Sequence, residues 1–110
     1  MISYNQGAVI LIPFPFTDFS ALKQRPAVII SRDEFNKRHN DIVALAITSQ
    51  IPETIPAEDY ALGREDIESA HLPKPSLVKT GKIITISKML IRKRLGSLPP
   101  STIEKIQTLQ

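Results

Sequence analysis

Lys23-Gln24-Arg25-Pro26, followed at once by Ala27-Val28-Ile29-Ile30, decides how the chain is read. The second half of that stretch is short, β-branched and bounded by proline, which marks a strand rather than a helix. An earlier run, Gly7-Ala8-Val9-Ile10-Leu11-Ile12, has the same character. Between the two lies a loop that carries Pro13 and Pro15 and is expected to end in Lys23–Pro26. A later run, Asp41-Ile42-Val43-Ala44-Leu45-Ala46-Ile47-Thr48, is apolar on both faces, as a central strand of a covered sheet would be. It closes on a second polar patch, Thr48-Ser49-Gln50. The two patches should share the rim of one sheet, where chemistry is expected.

The remaining punctuation completes a small β fold. Ser31-Arg32-Asp33-Glu34 has capping-box spacing and predicts a short helix over Arg32–Arg38. Prolines, Gly63 and acids between Gln50 and Pro75 predict an extended excursion with an edge strand near Glu58–Leu62. Ser76–Thr80 and Lys82–Ile86 read as two strands flanking Gly81, and Leu95–Leu98 as a last short one. Pro99-Pro100 before Ser101-Thr102-Ile103-Glu104 predicts a second capping box, and Ile103, Ile106 and Leu109 form one helical stripe that must dock on the sheet. The sum is mainly β with short helices: a strongly bent, SH3-like β barrel with a C-terminal helix, forming one domain over residues 1–110.

Composition narrows the function classes. A chain of 110 residues can bury a core without staples. There are no cysteines and only two isolated histidines, His39 and His71, so no metal site and no cofactor is expected. No apolar stretch reaches the length of a membrane span, and a cytoplasmic protein is expected. The charge is unevenly placed: residues 50–68 hold six acids against Arg64, whereas residues 69–110 hold eight Lys and Arg against Glu104. That basic half seeks anions, although Arg92-Lys93-Arg94 taken alone reads as an ordinary solvated rim.

Taken in order, Gly7–Ile12, Pro13-Phe14-Pro15-Phe16-Thr17-Asp18, Arg25-Pro26-Ala27-Val28-Ile29-Ile30-Ser31, Ile47-Thr48-Ser49-Gln50 and Lys74-Pro75-Ser76-Leu77-Val78-Lys79 resemble the MazF/PemK family of toxins. The likeness covers nearly the whole chain and is weakest over Ile51–Pro73. It implies an SH3-like barrel that dimerises, cuts single-stranded RNA at short motifs without help from the ribosome, and is silenced by a cognate antitoxin. The family's catalytic Arg and Thr fall on Arg25 and Thr48. The position after Gly7, often Asp in that family, is Ala8 here.

The chemistry suits those two residues. An RNA strand can be cut without metal when the neighbouring 2′-hydroxyl attacks the phosphorus, leaving a 2′,3′-cyclic phosphate and a 5′-hydroxyl. A guanidinium offers a planar, permanently charged fork to the phosphate oxygens as negative charge builds on them. A threonyl hydroxyl can donate to a phosphate oxygen or align the 2′-hydroxyl. Neither is an effective base, and neither histidine is assigned that role. Alone, Arg25 would be an ordinary cation before proline and Thr48 an ordinary β-branched strand residue; the family pattern reverses that judgement. Lys23, Ser49 and Gln50, polar and adjacent to the pair, are expected to contact substrate. Of Phe14, Phe16 and Phe19, one or two should complete the core, and base stacking is assigned to Phe16. Lys79, Lys82 and Lys88 would add salt-sensitive attraction to phosphate. The alternative is a non-catalytic barrel, either an RNA-binding module or a gyrase inhibitor similar to the CcdB family. Members of the latter use a tryptophan, and this chain has none.

Overall fold

The computed structural model describes residues 4–14 and 23–109. The apolar runs form strands that pair antiparallel throughout: β1 (Ala8–Phe14), β2 (Lys23–Ile29), β3 (Asp41–Thr48), β4 (Tyr60–Ala61), β5 (Leu77–Ser87) and β6 (Lys93–Ser97). Their order across the single curled sheet is β4-β5-β3-β2-β1-β6. Three short helices accompany them, α1 (Asp33–Arg38), α2 (Arg64–Ala70) and α3 (Pro100–Thr108).

Alternation along the strands builds two cores. Val9, Val28, Leu45 and Ile47 point to one face, where Ala70 of α2 and Ile103 and Ile106 of α3 cover them. Ala8, Ile10, Ile12, Ala27, Ile29, Ala44 and Ala46 point to the other, inside the curl. This explains why β1 and β3 read as continuous apolar runs: both faces are covered. Each fully buried Ile or Leu stabilises the fold by about 1.5–3 kcal/mol relative to exposure. Ile103 and Ile106 of the expected helical stripe are buried, and Leu109 stays exposed.

Several boundaries differ from expectation. Lys23–Pro26 belongs to β2 rather than to the loop before it, because β1 supplies a partner for every one of these residues, from Phe14↔Lys23 to Leu11↔Pro26. The two strands expected around Gly81 are one strand, β5. Its pairing with β3 jumps from Leu45↔Ile83 to Ala46↔Lys79, so Thr80-Gly81-Lys82 bulges out of the ladder. Helix α2 was not expected at all.

Neither capping box forms. Ser31 lies outside α1, its hydroxyl donating to Asn36 Oδ1 and accepting from the Val43 amide at 3.1 Å, which ties the helix to β3. Helix α3 starts ahead of Ser101, because Pro100 is preset for the first helical position and Pro99 takes the cap, accepting from the Thr102 and Ile103 amides. The cap that does form is on α2: Asp66 Oδ2 accepts from the Gly63 amide at 3.0 Å, and Oδ1 of the same carboxylate accepts from the Thr102 hydroxyl at 2.6 Å. One buried acid thus joins the start of α2 to α3.

Helix α2 also locks onto β6. Ser69 Oγ donates to the Ser97 carbonyl at 2.6 Å, and His71 Nδ1 bonds the Leu95 carbonyl at 2.8 Å. The approach is so close that a Cβ on Gly96 would collide with the Ser69 carbonyl and the Ala70 backbone. Gly96 is therefore a contact glycine.

Candidate active site

The site is built where β2 and β3 part. Their ladder runs Ile29↔Ala44, Val28↔Leu45, Ala27↔Ala46 and stops. Ile30 donates to the Val43 carbonyl at 2.9 Å, which fixes the phase: Val28 and Pro26 are the residues that turn their backbone polar groups toward β3. Pro26 has no N–H to give, so the ladder ends there. Two residues beyond the last pair lie Arg25 on β2 and Thr48 on β3. They occupy facing positions of the continued register, and alternation puts both on the face of Ala27 and Ala46.

Two cavities meet at this point. The larger, about 460 Å³, is lined by Leu11, Gln24, Pro26, Ile47, Ser49, Leu72 and Leu95 among others. The smaller, about 300 Å³, is lined by Ala46, Ile47, Gln50, Lys79 and Lys82. Arg25 and Thr48 line both. The sequence-derived pair is thus brought together, with Ser49 in the larger cavity and Gln50 in the smaller.

Local bonding prepares the pair. The Gln50 amide donates to Thr48 Oγ1 at 3.1 Å, so the hydroxyl oxygen is already an acceptor and its own proton is left to donate outward. Arg25 makes no ion pair among the described residues. Beside it, Lys79 Nζ donates to Asp59 Oδ2 at 2.8 Å, and the Asp59 side chain is 3% exposed against 30% for Lys79. A buried carboxylate therefore anchors the ammonium at the cavity wall. Lys79 and Lys82 are three apart and would face opposite ways in a regular strand; the bulge at Gly81 lets both line the same cavity.

Some residues named from the sequence lie away from the pair. The Lys88 amide donates to the Asn40 carbonyl just before β3, about 26 Å from Thr48 along the strand at roughly 3.3 Å per residue. His39 stacks on Phe35 at the end of α1, its ring centroid 4.1 Å away, and His71 closes α2 in the left-handed conformation; both serve the fold. Ala8 is core. Phe16, assigned to base stacking, and Phe19 lie outside the described residues. Lys23 opens β2. Sequence reasoning gave no site role to Asp59, Lys74 or the Leu72 wall, nor to Gln24 individually, although Gln24 stands in the Lys23–Pro26 patch where chemistry was expected.

Comparison with known proteins fixes the family. The model of the PemK-like, MazF-like toxins of type II toxin-antitoxin systems matches residues 5–109. The chain belongs to that family. Among solved structures, a mycobacterial endoribonuclease in complex with its cognate antitoxin superposes with a TM-score of 0.75 at 24% identity, covering 99% of this chain and 90% of that one. A mycobacterial endoribonuclease follows with a TM-score of 0.74 at 27% identity, over 99% and 88% of the two chains. A MazE–MazF structure from Deinococcus radiodurans gives 0.74 at 18% identity, over 97% and 92%. None of the curated protein sequences compared matches the chain. The likeness to these folds spans the whole sheet and its helices, in keeping with the barrel expected from the sequence. Among the described residues, no helix of this PemK-like chain is long and apolar enough to cross a membrane.

Proposed function

We propose that this PemK-like toxin is a sequence-specific endoribonuclease that cuts single-stranded RNA without metal or ribosome. The 2′-hydroxyl attacks the adjacent phosphorus, the bond from phosphorus to the 5′-oxygen breaks, and the products are a 2′,3′-cyclic phosphate and a 5′-hydroxyl. Arg25 neutralises the charge that builds on the phosphoryl oxygens, and the Thr48 proton donates to one of them. The proton lost by the 2′-hydroxyl passes to a third group, since a guanidinium and a threonyl hydroxyl are poor bases, and the departing 5′-oxygen takes up a proton from a general acid or from water. Ser49, Gln50, Lys23 and Phe16 contact the strand, and Lys79 and Lys82 hold neighbouring phosphates.

The observation that carries this reading is the meeting of Arg25 and Thr48, on one face, at the point where two strands separate and two cavities open. The protein works as a cytoplasmic homodimer restrained by a cognate antitoxin; the similar mycobacterial endoribonuclease is found in complex with its own cognate antitoxin. The test is incubation of purified protein with single-stranded RNA in EDTA. Site-specific cuts with cyclic phosphate ends are expected. Intact RNA, or cuts that need added metal, would overturn the reading; intact RNA together with inhibited DNA supercoiling would transfer it to the gyrase-binding class.

A further inference from the structure

A buried acid stands behind the cationic cavity, where an RNA site has most reason to exclude one. Arg25, Lys79 and Lys82 line that cavity with Thr48. Asp59 Oδ2 accepts from Lys79 Nζ at 2.8 Å, with the Asp59 side chain 3% exposed and that of Lys79 30%. We propose that Asp59 is a positioning residue for RNA. It holds the Lys79 ammonium at the cavity wall, ready for the phosphate next to the scissile one, so that this carboxylate strengthens RNA binding despite its charge. The inference rests on the endoribonuclease reading above.

Backbone pairing fixes where Asp59 stands. β4 meets β5 at Ala61↔Leu77 and Tyr60↔Val78, and the same register continued by one residue puts Asp59 opposite Lys79. The Thr80 hydroxyl donates to the Glu58 carbonyl, and the Asp59 amide donates to the Pro56 carbonyl at 3.0 Å, so the segment leading into β4 is tied to β5 and to itself. Spacing decides which phosphate Lys79 can serve. On its other side Lys79 pairs with Ala46, two residues before Thr48 on the same face of β3. Diagonal cross-strand neighbours of that kind stand about 7–8 Å apart. Asp59 also draws the ammonium to the side away from β3. The phosphate held by Arg25 and Thr48 is therefore out of its reach, and the adjacent phosphate of the strand is the one it meets. Electrostatics supplies the reason for an acid. Three cations in one cavity repel one another, and a lysine on its flexible four-carbon stem would otherwise swing into solvent. An ammonium has three N–H donors, so the bond to Asp59 leaves donors for a phosphate.

The sign of one substitution separates positioning from plain repulsion. Binding is measured on single-stranded RNA whose 2′-hydroxyls are all methylated, which cannot be cut, and turnover on unmodified RNA. Asp59→Asn keeps the shape and removes the charge. An acid that only repels the strand would, once neutralised, let RNA bind more tightly. The proposal expects binding about tenfold weaker and KM raised to match, with kcat within about twofold of wild type. Lys79→Gln, which leaves Asp59 a donor, should do the same, and Asp59→Asn should cost nothing further in that background. Tighter or unchanged binding by Asp59→Asn, or losses that multiply in the double variant, overturn the proposal. If Asp59→Asn does not fold, wild type decides: the Lys79 ammonium NMR signal should shift when the methylated RNA is added, and an unmoved signal overturns the proposal. If wild type binds RNA and never cuts it, the nuclease reading fails on its own, and the binding results still judge Asp59.

Discussion

The two sides of the rim teach different lessons. On the inner face, charge is concentrated: Arg25, Lys79 and Lys82 line one cavity with Thr48, and the buried Asp59 pairs with Lys79. On the helix-bearing face, the cavity owes its shape to packing, because one wall is Leu72, just past α2, and another is Leu95 on β6. The first side should govern whether a phosphodiester breaks, and the second how firmly the rim is held. Substitutions on the inner face should cost binding or rate for every sequence, and those on the outer face should loosen the fold.

The largest effect is expected at Arg25. Arg25→Ala should lower cutting by about 10²–10³-fold with the circular dichroism spectrum unchanged, since a charge-stabilising donor is lost and no core contact with it. Retained activity would remove Arg25 from the chemistry and erase the distinction between the sides. Thr48→Val keeps the branched shape and removes the donor. It should cost about 10–100-fold, the value of a hydrogen bond to a charged group. A rate that stays within twofold of wild type would show that the hydroxyl does not touch the reacting phosphate.

Stability probes the outer side. Gly96→Ala forces a methyl into the backbone of Ser69 and Ala70, and should destabilise by about 1–3 kcal/mol in urea melts. A neutral result would mean that α2 can slide on β6, and that the apolar wall is soft. The smallest expected effect is at Lys82. Lys82→Ala should reduce the salt dependence of single-stranded RNA binding by about 0.7 in the logarithmic slope while leaving the cut motif alone. A changed motif would show that Lys82 reads a base rather than a phosphate.

How much of this was legible depended on where the determinants lie. β1 and β3 were readable because both of their faces are covered, which writes an uninterrupted apolar run into the sequence. The Arg25–Thr48 pair was readable through the family pattern. β2 was cut short in the reading because Pro26 argues against a strand, yet its missing N–H faces β3 alone, so the loss ends that ladder and spares the one with β1. Helix α2 was hidden because its span, Arg64–Ala70, has acids at its start and no apolar stripe; among these residues only Ala70 and Ile67 join the hydrophobic core. Its position comes from Asp66, Ser69 and His71 bonding to distant elements, which no local window contains. The same holds for Lys79 and Lys82, whose shared face exists only because of a bulge set by pairing with β3.

The central claim is that one guanidinium and one hydroxyl act on the same phosphodiester, and a double-mutant cycle tests it most directly. Cutting rates are measured for wild type, Arg25→Ala, Thr48→Val and the double variant on one RNA site. Groups that share a reacting phosphate are coupled, so the double variant should be far less impaired than the product of the two single losses. Losses that multiply in full would mean that Arg25 and Thr48 act independently, and would contradict the account.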